Sequence, residues 1–191
     1  MRVCCLVLAL LALPLPARAD AFYCELPWFA RNLIFDRAGY CFGSPLGQAL
    51  FDNSDCIGTD VVLSDRDRAA VDHIRDLEAI LDCAIDSAAS RLEHQEALDR
   101  LRLLDVIPAP VEDESACVGY RGPVQSLRAA PGPDERVIGA LRPGDDISFL
   151  FLNEGIWDYA LVWSEGEDEA DRRHGWAPVG LGHIDCDVHA G

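Results

Sequence analysis

The chain contains no lysine. All 16 of its basic residues are arginines, set against 33 acidic residues, for a formal net charge of −17. A surface of that sign repels nucleic acid and anionic membranes, which recruit basic patches, so neither is expected as a partner. It favours cationic partners, or simply solubility in salt. The short signatures of familiar chemistries are missing too: no G-x-S-x-G, no H-E-x-x-H, and no glycine loop of the phosphate-cradling kind. No two cysteines have C-x-x-C spacing, the usual mark of thioredoxin-like redox chemistry and of zinc ribbons. No apolar run approaches the roughly 20 residues that cross a bilayer. Pairs of Asp and Glu abound, but at this acidity chance supplies them. Neither an enzyme nor a cofactor is expected.

What is present starts with an export signal. Arg2 precedes an apolar core from Val3 to Leu13, and Ala17-Arg18-Ala19 before Asp20 reads as an A-x-A cleavage site. Residues 1–19 are therefore expected to be a signal peptide, leaving 14 arginines against 33 acids, a net charge of −19, and no membrane insertion after cleavage. Six cysteines then remain: Cys24, Cys41, Cys56, Cys83, Cys117 and Cys186. In an exported chain an even set reads as a disulfide framework, with fifteen possible pairings. The preferred pairing joins Cys117 to Cys186, which bracket the C-terminal half. Cys41 with Cys56 and Cys24 with Cys83 then follow in the first half. A cysteine nucleophile is accordingly not expected.

Pattern divides the mature chain in two. Residues 20–106 are helix-patterned, residues 107–116 (Pro, acids and small residues) read as a linker, and residues 117–191 are strand-patterned. In the first half Pro27 suits a helix start and Gly39 a left-handed helix end. Leu26, Phe29, Ala30, Leu33 and Ile34 form one apolar face, with Trp28 and Phe35 on a second stripe, so the helix is expected to be wrapped by its domain. Arg37 falls within the first face and is expected to be paired or bonded to backbone carbonyls, since an unpaired buried charge is very costly. Ser64-Asp65-Arg66-Asp67 resembles a capping box opening a helix over 65–81. A third helix is expected over 90–104, with His94 as a hydrogen-bonded boundary residue. In the second half Trp157, Tyr159, Leu161 and Trp163 alternate with Ile156, Asp158, Ala160 and Val162, the pattern of a half-buried strand. Val137–Leu141 and Ile147–Leu152 are two more strands, separated by Pro-Gly turns that suggest a small barrel.

Two resemblances attach to these motifs. Residues 24–83 resemble the YARHG family of extracellular bacterial modules. Its Tyr-Ala-Arg-His-Gly motif would correspond to Phe35-Asp36-Arg37-Ala38-Gly39, with Trp28, Arg31, Asn32 and Ile34 upstream and Tyr40 and Phe42 beyond. Phe, Asp and Ala replace the motif's Tyr, Ala and His, and losing the histidine argues against a catalytic role. The Gly39-to-Ser44 turn is similar to that of a cysteine-bearing alphaproteobacterial branch, which implies a periplasmic or secreted protein of a Gram-negative bacterium. The resemblance gives Arg31, Asn32, Arg37 and Gly39 a structural part. Residues 117–186 are similar to bacterial SH3-like domains. The match runs through Ser126-Leu127-Arg128, Pro131-Gly132, Val137-Ile138-Gly139-Ala140-Leu141, Gly144-Asp145 and Gly175-Trp176. That likeness implies binding of an envelope peptide or peptidoglycan.

The expected fold is thus α+β: a small helical YARHG-like module joined to an SH3-like all-β barrel. The expected ligand-binding residues are Trp157, Tyr159 and Trp176, with Trp157 and Trp176 partly exposed at the barrel rim. Two weak metal candidates, Asp185 to His189 and the acidic run from Glu165 to Asp171, are better read as a frayed tail and a solvated loop, so no metal is expected. The expected function is that of an exported non-catalytic envelope protein binding a peptide or wall polymer. The alternative is an acidic inhibitor or accessory factor for a basic secreted protein.

Overall fold

Pro27 lies inside a helix, not at its start. In the computed structural model, which describes residues 21–167, 172–180 and 184–191, α1 spans Ala21–Arg37. The helix therefore forgoes the one backbone bond that a proline nitrogen cannot donate. The expected signal peptide, 1–19, lies outside the described residues. Leu26, Phe29, Ala30, Leu33 and Ile34 are buried, and Trp28 and Phe35 pack half-buried against the same core. Gly39 closes α1 with φ 85°. Its N–H donates to the Asp36 carbonyl and the Tyr40 N–H to the Phe35 carbonyl, the bond pair of a Schellman cap. A Cβ at this position would lie 2.9 Å from Ile57 Cγ1.

The short α2 (Pro45–Leu50) starts at the Ser44 cap, whose hydroxyl accepts from the Gly47 N–H. The longer α3 (Asp65–Ile80) starts at Ser64, whose hydroxyl accepts from the Asp67 N–H. Val71, Ile74 and Leu77 face inward from α3, and Arg31 on α1 donates two 3.0 Å bonds to the Glu78 carboxylate. Asn32 donates to the Trp28 carbonyl one turn back. Two disulfides, Cys24–Cys83 and Cys41–Cys56, staple this half at Cα separations of 5.3 and 5.0 Å, ordinary for the bond.

The expected helix over 90–104 is cut short to α4 (Gln95–Leu98) and a 3-10 turn (Asp99–Leu103). The buried Glu25 of α1 holds the residues just before α4. Its carboxylate accepts from the N–H groups of Glu93 and His94 at 2.8 and 2.9 Å and pairs with the His94 ring. The carboxylate thereby meets N–H groups at the start of α4 that have no acceptor within the helix, and Leu98, Leu101 and Leu104 still reach the core.

Residues 107–116 do not hang free. Residues 107 to 110 are buried, and β1 (Pro110–Tyr120) begins inside the segment. The Asp105 and Val106 N–H groups donate to the Ala129 carbonyl, and the Leu152 N–H donates to Ala109. Prolines and acids gave this stretch the composition of a linker, yet the acids are the exposed residues of a strand while Ile107 and Ala109 join the core.

Six further strands complete one antiparallel sheet: β2 (Gln125–Arg128), β3 (Val137–Leu141), β4 (Asp146–Phe151), β5 (Asp158–Trp163), β6 (Arg173–Ala177) and β7 (Cys186–Ala190). Their order is β3-β2-β6-β5-β4-β1-β7, so β3 and β7 stand at the ends. The chain is thus α+β, a helical N-terminal region followed by a seven-stranded antiparallel sheet. Alternation along β5 sends Ala160 and Val162 to one apolar cluster, with Leu127, Leu141, Ile147 and Phe149. It sends Tyr159 to the other, which is continuous with the helices. Cys117–Cys186 joins β1 to β7 at a Cα separation of 5.6 Å.

Candidate functional site

A two-residue turn presents Trp157 at the surface. Glu154 and Trp157 exchange both backbone hydrogen bonds, at 2.8 and 3.1 Å, around Gly155 and Ile156. Gly155 takes φ 65°, the left-handed value that such hairpin turns demand, and the Asn153 side chain donates to its carbonyl. The turn lifts Ile156 into solvent and leaves Trp157 half-buried beside it.

Facing Trp157 are Val124, Gln125 and Arg128 at β2, with Pro133 and Pro178 on flanking loops. Together they enclose a groove of about 460 Å³. Its walls are chiefly apolar, and Val124 is 64% exposed and Ile156 69%, more than a scattering of single surface residues. The cation at the groove is Arg128, steadied by a 2.6 Å bond to the Glu135 carbonyl.

The other two expected ligand-binding residues are elsewhere. Tyr159 and Trp176 are each 1% exposed. Tyr159 packs edge-on against both Phe151 and Trp176, and the Trp176 indole N–H donates to the Val106 carbonyl. The strand alternation does group these residues on one face, but the helical half covers that face, so neither reaches a ligand. Only Trp157 of the three lines the groove.

Behind the sheet face lies a second buried polar pair. The Tyr159 hydroxyl and His174 Nδ1 are 2.7 Å apart. Burial pushes the Tyr159 phenol up and the His174 imidazole down to about 4, with the nearby Arg100 charge a further cause of the latter. Both stay neutral at pH 7.

Near the rim of the sheet, Arg173 clamps Asp145 through bonds of 2.8 and 3.0 Å. Burial works against the Asp145 charge. The guanidinium, the Arg142 N–H and the Ser164 hydroxyl outweigh it and hold the carboxyl below its usual range. Glu167 also accepts from Arg173, at 3.3 Å. Of the acidic run from 165 to 171, residues 168–171 lie outside the described residues.

Arg37 bonds the Arg102 carbonyl at 3.2 Å, one of the two expected arrangements, but it is exposed and not enclosed by the apolar face. It sits at the helix's last turn, where the apolar face gives out. The arginine set against the aromatic core is Arg102, unmarked in the sequence. Arg102 donates to the Leu50 carbonyl and to Asp99, and lies 4.9 and 5.3 Å from the ring centres of Phe29 and Phe51. Apart from Asp99, its partners lie far upstream in the sequence, so no local pattern could have revealed them. Among the described residues no group of three or more His, Cys, Asp or Glu could hold a metal, and Cys186 is committed to its disulfide.

Fold and site together define an α+β, disulfide-stapled protein with an apolar groove. Residues 82–191, more than half of the chain, match the family model described as Domain of unknown function (DUF4453), and the chain belongs to that family. Residues 5–79 match the YARHG domain model. No curated protein and no solved structure matches the chain. The YARHG domain and the three disulfides point to an extracellular or periplasmic location, and no helix among the described residues is long and apolar enough to cross a membrane.

Proposed function

We propose that this chain is an exported, non-catalytic envelope protein, acting in the periplasm of a Gram-negative bacterium or secreted from it. In this reading its sheet half, SH3-like in sequence pattern, holds an extended peptide or a wall polymer in the Trp157 groove. The supporting observation is the groove itself: an indole, two prolines and exposed aliphatics around one arginine. A flat ring with rigid apolar neighbours suits an extended chain or a sugar face.

Trp157→Ala tests it. Affinity capture from native envelope extract should lose its partner with the variant while far-ultraviolet circular dichroism shows the fold retained, with some fall in melting temperature because Trp157 packs partly against the core. Identical capture by both proteins would remove the groove from consideration.

The net charge supports a second reading, in which the acidic surface holds a basic secreted protein as an inhibitor or accessory factor. Salt separates the two. A partner held by charge should leave as ionic strength rises past about 0.15 M, where screening acts within about 8 Å. One held in the groove should remain.

A further inference from the structure

The place where β6 stops gives the Trp157 groove a direction and an end. β2 pairs with β3 along its whole length, from Gln125↔Leu141 to Arg128↔Val137, but meets β6 only at Arg128↔Trp176. The Ala129 N–H donates to the Arg136 carbonyl, on the β3 side. Main-chain groups alternate sides along a strand, so those of Arg128 and Ser126 face the β6 side. At Arg128 the two strands are tightly apposed, and a Cβ on Gly175 of β6 would lie 2.9 Å from the Arg128 nitrogen. At Ser126 the ladder has run out. β6 ends at Ala177, Pro178 has no N–H to give, and Val179 packs on the apolar cluster around Leu127. Among the described residues, the Ser126 N–H and carbonyl have no main-chain partner on that side. Ser126 and Pro178 both line the groove. An unpaired length of strand of this kind is a template for an added one.

The charge in the groove is unlike that of the rest of the chain. Acidic residues number 33, yet none of the described residues lining the groove is acidic, and Arg128 brings a cation to it. Arg128 bonds a neutral group, the Glu135 carbonyl. It forms no ion pair among the described residues, so its charge is not cancelled. A strand added at Ser126 cannot run on past Arg128, because β6 holds that side from Ala177 onward. It must stop beside the guanidinium. An ammonium at that stop would be repelled and a carboxylate attracted, so charge selects a chain running parallel to β2.

Resting on the groove reading above, we propose that the occupant is the C-terminus of a protein chain. Its free carboxylate sits on Arg128, its main chain pairs with Ser126, and its last apolar side chains lie against Trp157 and Ile156. One carboxylate matches one cation, whereas a longer acidic segment would meet repulsion from the surrounding surface.

The test offers the immobilised full mature chain two pools of random pentapeptides that end in Val, Leu or Phe. One pool carries a free terminal carboxylate and the other a terminal amide, and retained peptides are identified by mass spectrometry. The acid pool should be enriched. Its best member should bind about tenfold or more tighter than its own amide, the loss of one charge-assisted contact. In Arg128→Gln the acid and the amide should become equal, whereas Trp157→Ala should weaken both. Methylating the peptide's backbone nitrogens one at a time should reveal one whose loss weakens binding about fivefold, the donor to Ser126. Equal retention of both pools by the unaltered chain, or of neither, would overturn the assignment whatever the variants do. A peptide-free wall glycan is offered in parallel. Should that glycan alone be held, and be released by Trp157→Ala, the groove reading would stand while the C-terminal one fell.

Discussion

The two faces of the sheet are buried by different means. One carries Leu150, Phe151, Tyr159 and Trp176, and it shares a single apolar cluster with Phe29, Leu46 and Ile74 of the helical half. The other carries Leu141, Ile147, Phe149 and Val162 and packs with Tyr120, Ile184 and the Cys117–Cys186 bridge, all from the sheet half itself. Sequence pattern divides the chain into two modules, but packing divides it into one joint core and one private core. The helices have no apolar centre apart from the sheet. What resembles a separate module therefore leans on its neighbour.

The most severe way to break this comparison is Trp176→Ala. Emptying a fully buried indole site in the joint core should cost about 3–5 kcal/mol. Urea unfolding followed by far-ultraviolet circular dichroism and by tryptophan fluorescence should give coincident transitions, both moved to lower urea. A helical transition that stayed in place would mean that the halves fold apart.

Acid should act on the joint face in particular. His174 lies beside Tyr159 there, and its folded value of about 4 is below the ordinary 6.5. Between those values the unfolded chain binds a proton that the folded chain refuses. The contribution is therefore complete above pH 6.5 and is lost as pH falls toward 4, amounting to about 3 kcal/mol over the window. His174→Asn should flatten that part of the stability profile measured by urea titration at each pH.

The smallest effect expected is at Gly39. Gly39→Ala places a Cβ in the left-handed region, at a cost of about 1–2 kcal/mol, and against Ile57. In a chain with a joint core, the melting temperature of the helical and sheet signals should fall together by roughly 3–6 °C, since about 1 kcal/mol moves a domain of this size by 2–4 °C.

Much of the architecture was legible from residues. The helix over 65–81, the strands at 137–141, 147–152 and 157–163, and all three cysteine pairs match what periodicity and position suggested. The losses share a cause. Period-two alternation tells which residues of β5 share a face but not what covers that face, and so Tyr159 and Trp176 read as ligand-binding, Trp176 at the rim. The start of α4 is held by Glu25, some 70 residues away, and the bonding of Arg102 depends on Leu50. Residues 107–116 read as a linker because composition reports polarity and not pairing. Long-range contacts decided each of these, and none leaves a local trace. At the candidate site, Trp157 was legible because a turn signal, Gly155, adjoins it. Arg128 and the two prolines were not, since they arrive from three separate segments.

The terminal strand β7 carries one further consequence. It lies at the end of the sheet order, where an outer row of backbone donors and acceptors is open to pairing with another chain. Cys186 ties that strand covalently to β1. If β7 peels away, the newly bared edge is that of β1, next to the private core. The bridge therefore guards solubility as well as stability, and mild reductant should produce oligomers at concentrations where the oxidised chain remains dispersed.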